Sequence, residues 1–188
     1  MARLHAVAEP AEHPGLADRF AVLADGPSAF PGDPQLADAV CALLDEVGAV
    51  PRDRQRYGVV HGDFELDNLS WIREEPVAFD FDDAALSWFV ADIAFAIRDL
   101  QPLSTGSREA ALFEAFLEGY RGVRAVGADE LALLPLFDAL HAASTLHGLD
   151  GVLDAGTSDA DPPWLRALRA KLDGHRVRLR AAVLAGGR

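Results

Sequence analysis

The chain has 188 residues, half of them hydrophobic and a quarter charged, which sets one domain over residues 1–188 as the expectation. A net charge of −13 argues against nucleic acid and anionic membranes as partners, since both select basic faces; it is compatible with a cationic ligand, although solubility is its simpler use. With Cys41 the only cysteine, no apolar run near the roughly 20 residues of a membrane span and no signal-peptide core, a cytoplasmic location is expected.

Residues 2–8 read as helix, with Leu4 and Val7 on one side. Pro10, Pro14, Pro27, Pro31 and Pro34 punctuate residues 9–34, which read as loop with a helical turn around Leu16–Leu23. Asp33 before Pro34 is a candidate N-cap with proline in the first helical position. Leu36, Val40, Leu43, Leu44 and Val47 then recur at helical spacing up to Gly48. Gly58–His61 is a short apolar strand. Leu69–Ile72 and Val77–Phe81 are two more, joined by a hairpin at Arg73-Glu74-Glu75-Pro76. With its pleat kept, the second strand points Phe79 and Phe81 one way and Asp80 and Asp82 the other, Asp80 inward. After Ser87 the period becomes helical, and Phe89, Ile93, Ala96, Ile97 and Leu100 form a stripe that ends at Pro102. Residues 107–121 form an amphipathic helix through Leu112, Phe116, Leu117 and Tyr120. Asp129–Leu149 is helical with a break or kink at Pro135. Gly156–Pro163 is loop, and Trp164–Leu184 is an Arg-rich final helix. The fold class is α+β, mostly helical, around a short central hairpin.

The chemistry sits in His61-Gly62-Asp63-Phe64-Glu65-Leu66-Asp67-Asn68 and in Phe79-Asp80-Phe81-Asp82-Asp83. Asn68 follows Asp63 by five positions, and Asp80 follows Asn68 by twelve. Phosphoryl transfer needs such a set. One carboxylate orients and deprotonates the attacking hydroxyl, while an amide oxygen and a second carboxylate hold Mg²⁺ against the phosphates. Asp63 is the candidate base, and Asn68 and Asp80 are the candidate cofactor-binding and metal-ligating residues. Asp67 and Asp83 read as solvated. A phosphatase of the haloacid-dehalogenase kind also carries an Asp-x-Asp strand end. Here Ala84 and Ala85 follow it, the motif is mid-chain, and no helix–strand alternation comes after. His141 and His147, six apart, do not have a helical metal spacing.

His-Gly-Asp-x-x-x-x-Asn followed by Asp-Phe-Asp resembles the aminoglycoside phosphotransferase and choline-kinase-like family of small-molecule kinases, which has the protein-kinase-like fold. The resemblance implies ATP- and Mg²⁺-dependent phosphorylation of a hydroxyl on a small-molecule substrate. It implies further that His61 braces the loop and that Asp82 is the second acidic position of the metal motif. Asp92, in Val90-Ala91-Asp92-Ile93-Ala94, matches a helix start that accepts N–H bonds from the loop. Met1–Ala8 resembles the helix after the hinge. The chain is therefore expected to be a kinase-like C-terminal lobe, with the catalytic loop and metal hairpin at 58–83, a helical subdomain at 84–188, and the N-terminal lobe absent. The 188 residues hold no Gly-x-Gly-x-x-Gly, and Lys171, the only lysine, lies far downstream of His-Gly-Asp. A kinase's phosphate-covering loop and lysine precede the catalytic loop. Very weak nucleotide binding, no turnover and self-association through an apolar cleft face are the expectations for these residues alone. The alternative is a non-catalytic remnant that binds a small molecule or partner.

Overall fold

The computed structural model describes residues 1–7, 15–98, 107–153 and 161–187. It divides into two compact units, Met1–Arg19 with Pro51–Phe137, and Phe20–Val50 with Asp138–Arg188. Among the described residues the structure is mostly helical, with four short strands. No helix among them is long and apolar enough to cross a membrane.

The first unit starts with α1 (Ala2–Val7). Its buried side chain is His5, whereas Val7 is exposed, so the apolar face expected from Leu4 and Val7 is not the face that packs. β1 (Tyr57–Val60) pairs antiparallel with β4 (Ala85–Trp88), and β2 (Leu69–Ile72) pairs antiparallel with β3 (Glu75–Ala78). Glu75 and Pro76 belong to β3, leaving Arg73-Glu74 as the turn. Proline is tolerated there because neither strand of a two-stranded ribbon is central. β4 runs directly into α3 (Phe89–Ile97). Every residue of α3 from Phe89 to Ala96 is buried, Asp92 included. A helix apolar on all sides belongs inside a core. Ile93 packs with Leu117 and Tyr120 of α4 (Ser107–Arg121) and with Val126, each large apolar side chain contributing about 1.5–3 kcal/mol by leaving water. Trp88, fully buried, donates its indole N–H to Pro51 O at 3.2 Å. The short α5 (Ala128–Leu131) and the start of α6 (Leu134–Leu153) complete the unit. The break foreseen at Pro135 falls between these two helices, with proline in the first turn of α6, where a missing N–H costs nothing. The expected stripe residue Leu100 and stop at Pro102 lie outside the described residues.

The second unit holds two short 3₁₀ turns (Ala21–Leu23 and Gly26–Ala29), α2 (Pro34–Gly48), the rest of α6, and α7 (Pro163–Gly186). Asp33 caps α2 as its sequence position implies, accepting Leu36 N at 3.1 Å, with Pro34 in the first turn. α2 buries Leu36, Ala37, Val40, Leu43 and Val47. Arg180 of α7 donates Nη2 to Asp33 Oδ1 at 3.0 Å, and this bond holds the Asp33 carboxyl below its ordinary range. Most of the loop expected at 156–163 lies outside the described residues.

Candidate active site

The loop after β1 carries His61, Gly62, Asp63 and Asn68. Gly62 is glycine for two reasons. Its φ is +81°, and a Cβ placed there would meet Asp83 O at 2.1 Å. Asn68, buried at the end of the loop, donates Nδ2–H to Asp63 O at 2.8 Å and to Asp63 Oδ2 at 2.9 Å. The amide NH₂ is thus spent on Asp63. An amide oxygen is able to ligate a cation, and the second oxygen of a carboxylate is able to accept a proton.

Asp80 reaches the loop through the hairpin. Beyond the last β2–β3 pair, Leu69 with Ala78, Phe79 N donates to Asn68 O at 3.1 Å. This bond sets Asp80 one residue from the partner of Asn68. The strand does not continue to Phe81, contrary to the sequence expectation. Asp80 takes φ +61°, in the left-handed region, which breaks the alternation of a pleated strand. Asp80 is exposed rather than turned inward, which leaves its charge in water. Phe79 and Phe81 are 47% and 46% exposed, so they do not anchor a buried face. Such a conformation at a non-glycine residue costs on the order of 1 kcal/mol and clusters at functional sites.

His61 joins the loop to this turn. Its Nε2 lies 3.0 Å from Phe79 O, and because a carbonyl only accepts, Nε2 carries the proton. The ring lies 4.4 Å from Phe81 and 5.5 Å from Phe64 between centroids. Asp92, fully buried on α3, takes His61 N at 3.1 Å on Oδ2 and Gly62 N at 2.9 Å on Oδ1. Its Oδ2 also takes His5 Nε2–H at 3.1 Å, and His5 Nδ1 accepts the Tyr120 hydroxyl at 2.9 Å. Burial pushes the His5 pKa down, and the opposing pull of Asp92 does not restore it, which favours the neutral ring. Burial alone would raise Asp92. The bonds from His5 and from the two loop N–H groups outweigh it and leave the carboxyl below its ordinary range. Burial pushes the Tyr120 hydroxyl up to about 12, so it remains a donor.

Asp82 and Asp83 are exposed, and Asp82 does not join the hydrogen-bonded set around Asp63. Asp83 lies 3.6 Å from Arg19 Nη1. The sequence reading gave His5 no role. The signal for it was indirect: a carboxylate amid the apolar run of α3 must be buried, and a buried carboxylate needs donors. Among the described residues no three His, Cys, Asp or Glu side chains form a metal cluster. One amide and one carboxylate instead fit a hard cation that keeps water and phosphate oxygens as its other ligands, the habit of Mg²⁺.

A model of the phosphotransferase enzyme family matches residues 1–126. Amicoumacin kinase of Bacillus subtilis is 33% identical over 78 residues, 40% of this chain and 23% of that protein. Homoserine kinase of Neisseria meningitidis is 32% identical over 101 residues, 53% of this chain and 32% of that protein. Two solved structures share the fold. Amicoumacin kinase hAmiN, in complex with AMP-PNP, Ca²⁺ and Ami, superposes with a TM-score of 0.70 at 20% identity over 95% of this chain and 51% of that one. A microcompartment-associated aminopropanol kinase does so with a TM-score of 0.64 at 22% identity over 98% and 57%. The chain thus spans about half the length of these structures, and its matched segments span a third or less of the curated relatives. The loop geometry around Asp63 and a family match over more than half of the chain converge, and the chain belongs to the phosphotransferase enzyme family.

Proposed function

We propose that these residues form the C-terminal lobe of an ATP- and Mg²⁺-dependent kinase that phosphorylates a hydroxyl of a small molecule. The observation that carries this reading is the pair of bonds from Asn68 Nδ2 to Asp63, which orients a carboxylate and an amide oxygen in one loop. In this reading Asp63 accepts the proton of the acceptor hydroxyl as its oxygen bonds to the γ-phosphorus and the bond to the ADP oxygen breaks. Asn68 and Asp80 would hold Mg²⁺, which when bound neutralises charge on the phosphate oxygens. His61 and Asp92 hold the peptides on either side in place, and Asp82 is a supporting acid beside Asp80. Two of the kinases named above take homoserine and aminopropanol, each an alcohol with an amino group, so a small amino-bearing alcohol is the acceptor class we favour. The exposed Trp71, Ile72, Val77, Phe79 and Phe81 side chains support self-association at high concentration.

The test is acceptor-dependent ADP release, on the 188 residues and on the longest in-frame protein containing them. Asp63→Asn should lower kcat by roughly 10²–10⁴-fold, the usual share of a general base. Asp80→Ala should abolish transfer. Activity within about tenfold of the parent after Asp80→Ala would refute the metal assignment, since a lost ligand costs several kcal/mol of transition-state stabilisation. The 188 residues alone, with no glycine loop and no lysine before His61, should bind Mg-ATP only weakly; calorimetry giving a micromolar Kd would contradict that.

A further inference from the structure

Arg19 is a cationic side chain that the first unit brings to the loop of Asp63, and the roles proposed above leave it unused. Residues 17–19 run along β4: Leu86 N donates to Ala17 O and Arg19 N to Leu86 O, both at 2.9 Å. Asp18 and Leu86 form a parallel bridge. This pairing fixes where the side chain begins. Arg19 Nη1 ends 3.5 Å from the point a Cβ on Gly62 would occupy and 3.6 Å from Asp83 Oδ1. The guanidinium therefore stands beside both the catalytic loop and the turn after Asp80. Its pairing is loose, because 3.6 Å exceeds hydrogen-bond distance and the Asp83 side chain is 61% exposed. The Arg19 side chain is 20% exposed, and its Nε–H is buried with no acceptor among the described residues.

A buried N–H without an acceptor is costly, and a native structure that keeps one usually reserves it. A guanidinium is the side chain best shaped for an oxyanion, through its fork of donors. We propose that Arg19 is the oxyanion-binding residue of the site, holding either the phosphoryl group in transit or a carboxylate on the acceptor. The proposal deepens the phosphotransferase reading and rests on it.

The experiment reads anion binding rather than turnover, so it stays distinct from that reading, which acceptor-dependent ADP release in Asp63→Asn and Asp80→Ala tests. A buried arginine Nε–H gives its own ¹⁵N–¹H signal, assigned by its loss in Arg19→Lys. It is followed in the 188-residue chain while inorganic phosphate, or separately acetate, is added. The expected result is a saturable shift of that signal together with the Gly62 and Asp83 amides. In Arg19→Gln the affinity read at those two amides should fall about tenfold or more, the share of a charge-assisted bond. Unchanged α4 amides report an intact fold. If they move, Arg19→Lys serves instead, with binding weakened and not lost because the charge stays and the fork goes. Saturation at lower phosphate than acetate assigns the phosphoryl group, and the reverse order assigns an acceptor carboxylate. No saturable shift with either anion, or equal affinity in the parent and both variants, overturns the proposal.

Discussion

Replacing Asp92 by alanine removes the acceptor for three buried donors: His61 N, Gly62 N and His5 Nε2, at 3.1, 2.9 and 3.1 Å. An orphaned buried donor costs about 1–3 kcal/mol, so three set a scale of about 3–9 kcal/mol. Relief of the buried carboxylate's own desolvation, several kcal/mol, offsets part of this. The expected loss is about 3–5 kcal/mol, which is a large share of the 5–15 kcal/mol typical of a domain. Urea unfolding followed by tryptophan fluorescence measures it, because Trp88 is buried in the same unit while Trp71 and Trp164 are exposed. With a slope of about 1–3 kcal/mol per molar, the midpoint should fall by about 2 M. Asp92→Asn keeps one acceptor oxygen and should lie between the two. A loss below about 1 kcal/mol for alanine would show that the loop N–H groups find other acceptors, and the claim that Asp92 sets the Asp63 loop would fail.

Gly62→Ala should lower stability by about 2–4 kcal/mol, from left-handed strain plus overlap with Asp83 O; an unchanged thermal midpoint would contradict this. The pH dependence follows from His5. Its folded pKa lies below the ordinary 6.5, so the unfolded chain takes up the proton first and stability falls as pH drops from 7 to 5. The slope reaches at most about 1.36 kcal/mol per pH unit for one proton. Asp92, also lowered, continues the loss below 3.8. His5→Phe, which keeps the stacking on Phe89 at 4.6 Å, should flatten the decline between pH 7 and 5. Urea midpoints at pH 7, 6 and 5 that fall as steeply in the variant as in the parent would assign the slope to other histidines.

Helix positions were legible where a pattern repeats. The periodicity of Leu36 to Val47 and the Asp33–Pro34 start gave α2 its bounds, because capping chemistry is local. β4 was not legible. Ala85–Trp88 is four residues with no turn signal before α3, and pairing with β1 makes it a strand. The motif residues were legible as a group, and hydrogen bonds link Asp63 to Asn68, and Asn68 to Phe79. What failed was the pleat at Asp80. The alternation from Phe79 to Asp82 runs through a residue whose φ is positive, a feature of the backbone that residue type does not mark. His5 and Arg19 carry no local sequence signal, because each reaches its partner across a long sequence gap, Asp92 and the turn at Asp83.

The second unit is assembled from segments far apart in the chain, and this bears on how it is made. α2 closes at Gly48, but α7, which packs on it, begins only at Pro163. At about 5–20 residues per second on a ribosome, Ala39 and Leu43 wait on the order of ten seconds for that cover. The last turn then fits tightly: a Cβ on Gly187 would sit 3.0 Å from Ala39 O. α7 therefore acts as a late clasp on α2 within this unit, and α2 is the segment a chaperone would meet in the interval.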